Sequence, residues 1–85
     1  MEEYQRNKNL LTESLLNFIN DFASWSKEDK DKITVSGLSF TINGLGQDKQ
    51  NQYEGALGYW IDVRTAGNQI RRTALINCIK YLQDQ

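Results

Sequence analysis

The chain has 85 residues, which is enough for one domain and too few for two. Hydrophobic residues make up 39% and charged residues 25%, with a formal net charge of −1, a balance typical of a globular protein. This charge argues against non-specific attraction to nucleic acid or anionic membranes, and the lack of histidine removes the commonest general base and zinc ligand. We therefore expect a single domain, residues 1–85, with no metal and no other cofactor.

An apolar stripe predicts a long amphipathic helix from Tyr4 to Trp25. Leu10 and Leu16 widen this stripe, as expected for a helix packed on a sheet. Ser26 resembles an N-cap, so residues 27–32 are predicted to add a short turn. The members of the stripe recur at steps of three, four and seven: Tyr4, Leu11, Leu15, Phe18, Ile19, Phe22 and Trp25.

Residues 33–42 alternate apolar and polar side chains, the period of a strand with one buried face. The phase changes at Ser36-Gly37. A two-residue turn there would pair position 35 with 38 and 33 with 40, whereas a bulge would keep one continuous strand. Both put the apolar residues on one face, and we favour the bulge because the first hairpin arm would be very short. These apolar residues are Ile33, Val35, Leu38, Phe40 and Ile42.

The sequence Asn-Gly-Leu-Gly at residues 43–46 is a turn signal, which the polar residues 47–52 extend into an exposed loop. Residues 53–65 are then predicted to form a strand, on which Trp60 and Asp62 face away from the core. Four residues alternate onto the buried face: Leu57, Tyr59, Ile61 and Val63.

A final helix is predicted to begin after Thr65 or Asn68, either of which could cap it. The fold class is therefore α+β: two helices packed on a small two- or three-stranded antiparallel sheet, in α-β-β-(β)-α order. The apolar stripe of the final helix contains Ile70, Ala74, Leu75, Cys78, Ile79 and Leu82.

The single cysteine, Cys78, lies in that stripe and has no histidine to activate it, so an inert buried thiol is expected. We find no catalytic residue set and expect no enzyme activity. One unpaired thiol favours a reducing compartment, and the default location is the cytoplasm. The polar first residues lack an apolar signal core, and no run of 18 apolar residues predicts a membrane span.

The preferred hypothesis is a non-catalytic protein-interaction module, of inhibitor or adaptor type, that covers a surface of a larger protein partner. Small chains without catalytic residues are common among phage and mobile-element products, and a viral source is part of this hypothesis. Aromatic, arginine and amide side chains off the apolar stripes are the candidate contacts, because such residues are enriched in interface hot spots. The predicted partner-binding residues are Trp60, Arg64, Arg72, Tyr81, Gln50, Gln52 and Tyr53.

Two alternatives use other surfaces. A regulatory protein could bind nucleic acid through the basic final helix, where Arg64, Arg71, Arg72 and Lys80 outnumber Asp62 and Asp84. A homodimer could form if the wide stripe of the first helix paired with its symmetry mate.

Overall fold

The computed structural model describes residues 2–85, which form six helices and one two-stranded antiparallel sheet. The fold is α+β, as predicted, but it is richer in helix than the predicted two-helix arrangement. In chain order the elements are α1 (Glu2–Asn9), α2 (Glu13–Phe22), α3 (Lys27–Lys30), β1 (Ile33–Ser36), β2 (Ser39–Ile42), α4 (Gln47–Gln52), α5 (Glu54–Thr65) and α6 (Gln69–Gln83).

The predicted first helix is two helices, because the chain leaves helical geometry between Asn9 and Glu13. The Leu10 and Leu11 amides bond carbonyls three residues back, and Thr12 adopts extended backbone angles as the N-cap of α2. The break lets α1 turn and pack against α6. The stripe prediction holds within α2, whose buried residues are Leu15, Phe18, Ile19 and Phe22.

Two predicted helix caps are confirmed. The Ser26 hydroxyl accepts a hydrogen bond from the Asp29 amide, and α3 begins at the next residue. Of the two candidates before the last helix, Asn68 is the cap: its side chain accepts from the Arg71 amide. A side-chain acceptor at this position satisfies an amide that has no partner within the helix.

The apolar alternation in residues 33–42 forms a hairpin, so the favoured bulged strand is wrong. Ile33 pairs with Ile42, Val35 with Phe40 and Ser36 with Ser39, which leaves Gly37 and Leu38 as the two-residue loop. Gly37 has a φ of 60°, and no non-glycine residue in 2–85 has a positive φ, a combination that fits a type II′ turn. The loop therefore lies one residue later than the predicted turn.

The largest error concerns residues 47–65, which were predicted as a loop and a strand and instead form α4 and α5. On α5, Trp60 is buried with 4% of its surface exposed, while Tyr59 and Ile61, predicted to be buried, are 47% and 51% exposed. The physical reason is a competing helical stripe with steps of three, four and three. Its members are all buried: Tyr53, Ala56, Trp60 and Val63.

The core lies between α2, α5 and α6, and the hairpin packs along its side. The Phe40 ring reaches from β2 to stack on Phe18 and to meet Trp60, with centroids 6.4 Å and 5.1 Å away. Ile70 was predicted to join the stripe of α6, but it is 66% exposed because it lies one turn before the first buried residue of that helix. The buried residues of α6 are Ala74, Leu75, Ile76, Cys78, Ile79 and Leu82.

Candidate functional site

The predicted partner-binding residues are divided among several parts of the surface. Trp60, Arg64 and Gln50 lie along one groove beside α5. Tyr53 and Gln52 line a separate depression near α2, Arg72 lies under the hairpin loop, and Tyr81 packs on α1. The largest set that shares one groove is therefore Trp60, Arg64 and Gln50.

The groove beside α5, called the α5 groove below, consists of two adjoining depressions that share Leu57 and Ile61. The hairpin end has a volume of 310 Å³ and, among the described residues, one charged lining residue, Arg64. The α4 end has a volume of 430 Å³, and its wall includes the polar side chains of Gln50 and Glu54. The apolar lining of the hairpin end comes from Phe40, Ile42, Leu57, Trp60 and Ile61.

Trp60 supports this groove from below. It was predicted on a solvent-facing strand surface, but α5 turns its ring inward against Phe40, and the Arg72 guanidinium carbon lies 6.0 Å from the ring centroid. Because Trp60 is 4% exposed, only a small part of its surface lies in the groove. Truncating Trp60 should therefore remove core packing as well as part of the groove.

Arg72, a predicted contact residue off the apolar stripe of α6, packs against the hairpin loop. Its Nη2 donates to the Leu38 carbonyl at 3.4 Å, and its guanidinium lies over the Trp60 ring. Its Nε is buried without a hydrogen-bond partner among residues 2–85. These contacts link the hairpin loop and α5 to α6.

The outer edge of β2 borders the hairpin end of the groove. Asn43 donates its amide to the Lys32 carbonyl, which fixes the hydrogen-bonding phase of the hairpin. Because bonded pairs alternate along an antiparallel ladder, the amides and carbonyls of Phe40 and Ile42 point away from β1. No hydrogen bond from elsewhere in residues 2–85 reaches these four groups.

The outer edge of β1 differs at one end, where the last turn of α6 caps a single carbonyl. Gln83 Nε2 donates to the Ile33 carbonyl at 2.7 Å and to the Lys30 carbonyl at 2.8 Å. Lys27 Nζ in turn donates to the Gln83 carbonyl. The outer edge of β1 thus has one carbonyl bonded by its own chain, whereas the outer edge of β2 borders an apolar groove.

Tyr53 and Tyr81 are held by contacts within the chain. The Tyr53 hydroxyl donates to Asp21 at 3.0 Å, and burial raises the pKa of this tyrosine. The Tyr81 ring stacks on Tyr4 with centroids 4.1 Å apart, beside a polar depression that Glu3 and Lys80 also line. Neither ring reaches the α5 groove.

The shifted pKa values of Cys78 and Asp29 each have a structural cause. Burial raises the pKa of the Cys78 thiol to about 11, which keeps it protonated at neutral pH. Hydrogen bonds from Lys49 and Lys32 lower the pKa of Asp29 to about 2. The three side chains form a structural ion-pair network. No cluster of three potential metal-ligating side chains occurs in residues 2–85.

The groove residues that sequence reasoning missed are Leu57 and Ile61, which were assigned to the core. The signal that could have found them was the helical spacing of Tyr53 and Trp60, which leaves Leu57 and Ile61 beside the buried face.

Of the helices described, none is long and apolar enough to cross a membrane. Comparison with protein-family models, curated proteins and solved structures gives no match for this chain.

Proposed function

We propose that the chain is a non-catalytic protein-interaction module that binds a larger protein partner through the α5 groove, as an inhibitor or an adaptor. The lone buried thiol fits work in a reducing compartment, and we propose the cytoplasm. A phage or mobile-element source belongs to the same proposal, since blocking a host protein needs only an interface.

The observation that carries this proposal is the half-exposed Ile61, which lies with Leu57 beside the edge of Trp60. Scattered apolar side chains on a surface need no explanation, but a contiguous apolar depression with a polar rim is typical of an interaction site. Here the rim is Arg64 at one end and the amides of α4 at the other. Arginine beside aromatic and aliphatic residues is also the composition of interface hot spots.

Nucleic-acid binding is the weaker hypothesis because the structure separates the basic residues on which it depends. Arg72 is engaged with the hairpin loop and Trp60, while Lys80 lies near Tyr4 at the α1 end of the molecule. A phosphate backbone is bound through a continuous basic surface. The homodimer hypothesis also loses its surface, because the stripe on α2 is buried against α5 and α6.

The test is affinity capture from cells that naturally contain the chain, using the parent and two matched variants. Ile61→Asp places a charge in the α5 groove, and Ile70→Asp places the same charge on an isoleucine that is more exposed and lines none of the groove. We expect the parent and Ile70→Asp to capture the same protein and Ile61→Asp to lose it. Circular dichroism should show all three chains folded.

Equal capture by all three chains would refute the α5 groove as the binding surface. A partner that is released steeply between 50 and 200 mM salt, and that nuclease treatment removes, would favour nucleic-acid binding instead.

A further inference from the structure

We infer that the occupant of the α5 groove is an extended segment of the partner protein, which adds to β2 as a third strand and pairs an acidic group with Arg64. This inference rests on the proposed function, because it specifies what binds at the same surface.

The first argument is the hydrogen-bonding capacity of the β2 edge. Phe40 and Ile42 present two amides and two carbonyls in a row, spaced as one strand presents them to the next. Helices cannot satisfy such a row, because their own backbone groups are already paired. An added strand can, and strand addition to an open edge is a recurring mode of peptide recognition.

The second argument is the position of the apolar depression relative to that edge. Side chains alternate across a strand, so every second side chain of an added segment would point toward the core face of the sheet. On that face the segment meets Leu57, Trp60 and Ile61, which line the depression together with the side chains of β2. The partner segment should therefore carry a medium-sized apolar residue, flanked by residues whose side chains face solvent.

The third argument is charge. Arg64 lines the same depression and forms no ion pair with any residue in 2–85. An acidic side chain or a carboxyl terminus on the segment would complement it. This also disfavours a second copy of the chain paired edge to edge, because Ser39–Ile42 contains no acidic residue to offer Arg64.

The first experiment selects binders from a displayed library of random dodecapeptides on the immobilised parent chain. We expect the enriched sequences to alternate β-branched or other apolar residues with polar ones, and to place Asp or Glu at a fixed distance from the apolar position. Selection in parallel on Ile61→Asp should not enrich this pattern, and selection on Ile70→Asp should.

The second experiment measures amide hydrogen exchange with and without the best synthetic peptide. Bound peptide should slow exchange at Phe40 and Ile42, whose amides point outward. Thr41 should change little, because its amide already faces β1. N-methylation of the peptide amides that face β2 should weaken binding by at least about tenfold, since it removes ladder hydrogen bonds without changing any side chain.

The charge is tested by a matched pair of arginine variants. Arg64→Gln should weaken peptide binding by about fivefold, which is the upper range for an exposed ion pair, while Arg71→Gln should leave binding unchanged. Replacing the acidic residue of the peptide by its amide should weaken binding to the parent chain by the same factor. The same replacement should not weaken binding to Arg64→Gln any further.

Several results would overturn the inference: no enriched peptide, enriched sequences with helical spacing, or protection that avoids Phe40 and Ile42. Protection of these two amides without peptide, together with a dimeric mass, would assign the edge to a second copy. If any of these occurs while Ile61→Asp still loses the captured protein, the proposed function stands and only the strand-addition mode fails. If capture is insensitive to Ile61→Asp, the proposed function itself fails.

Discussion

The two C-terminal helices, α5 and α6, differ in how their sequence patterns relate to their burial. The pattern of α6 has one period, and the core contains nearly all of its predicted stripe. The pattern of α5 has two: residues 57–63 alternate like a strand, while Tyr53, Ala56, Trp60 and Val63 recur like a helix. The helical set packs against α2 and α6. The residues that belong only to the alternating set are not needed for this packing and remain at the surface. Ile61, the centre of the α5 groove, is one of them.

Trp60→Ala tests the inward face of α5 and should have the largest effect. Removal of a buried indole should lower the free energy of unfolding by about 3–5 kcal/mol, measured by urea denaturation. The matched variant Tyr59→Ala, one residue away on the exposed side, should change it by less than about 0.5 kcal/mol. The strand interpretation predicts the reverse order, so a larger loss in Tyr59→Ala would contradict the helix. If Trp60→Ala does not fold, Trp60→Phe should fold with a smaller loss.

Ile79→Ala makes the corresponding test on α6. Ile79 is fully buried between helices, and its truncation should cost about 2–5 kcal/mol of unfolding free energy. Ile70→Ala, on the same helix but exposed, should be close to neutral. Comparable losses from both variants would mean that the first turn of α6 packs against another part of the protein. That would contradict the exposure of Ile70 in the structure.

The sign of the change in unfolding free energy caused by Gly58→Ala distinguishes a helix from a strand at residues 53–65. Gly58 lies inside α5, and a Cβ built on it meets nothing within 4 Å, so alanine should raise the free energy of unfolding by about 0.5–1 kcal/mol. The control is Gly67→Ala: Gly67 has a φ of 74° where α5 ends, and alanine there should be destabilising by about 1 kcal/mol. A destabilising Gly58→Ala would contradict the helix.

The sequence predicted the parts of the fold whose local and tertiary preferences agree. The stripe of α2, the caps Ser26 and Asn68 and most of α6 were correct, as was the apolar face of the hairpin except for Leu38, which lies in the loop. The strand prediction for residues 53–65 was wrong because β-branched and aromatic residues favour a strand locally, and only packing against the rest of the fold selects the helix. For the same reason, of the predicted contact residues only Trp60, Arg64 and Gln50 meet along the α5 groove.

The smallest expected effect comes from Asp29, which joins α3 to α4 through Lys49. Its Oδ2 accepts from Lys49 at 2.7 Å and its Oδ1 from Lys32 at 3.1 Å, and these bonds lower its pKa to about 2. An unfolded aspartate titrates near pH ~3.9, so the folded chain binds this proton more weakly. The resulting stabilisation is complete above about pH 4 and is lost as the pH falls through about 2.

Asp29→Asn should therefore be less stable than the parent at pH 6 and should lose less unfolding free energy between about pH 4 and pH 2. Asp31→Asn is the matched control, because its carboxylate forms an exposed pair with Lys27 one turn away, and it should keep the pH dependence of the parent. In the parent at low pH, amide exchange should accelerate in α4 before it accelerates in α6. Simultaneous acceleration of both helices would show that α4 does not loosen separately from α6. An unchanged pH dependence in Asp29→Asn would show that the Lys49 and Lys32 contacts contribute nothing to folding.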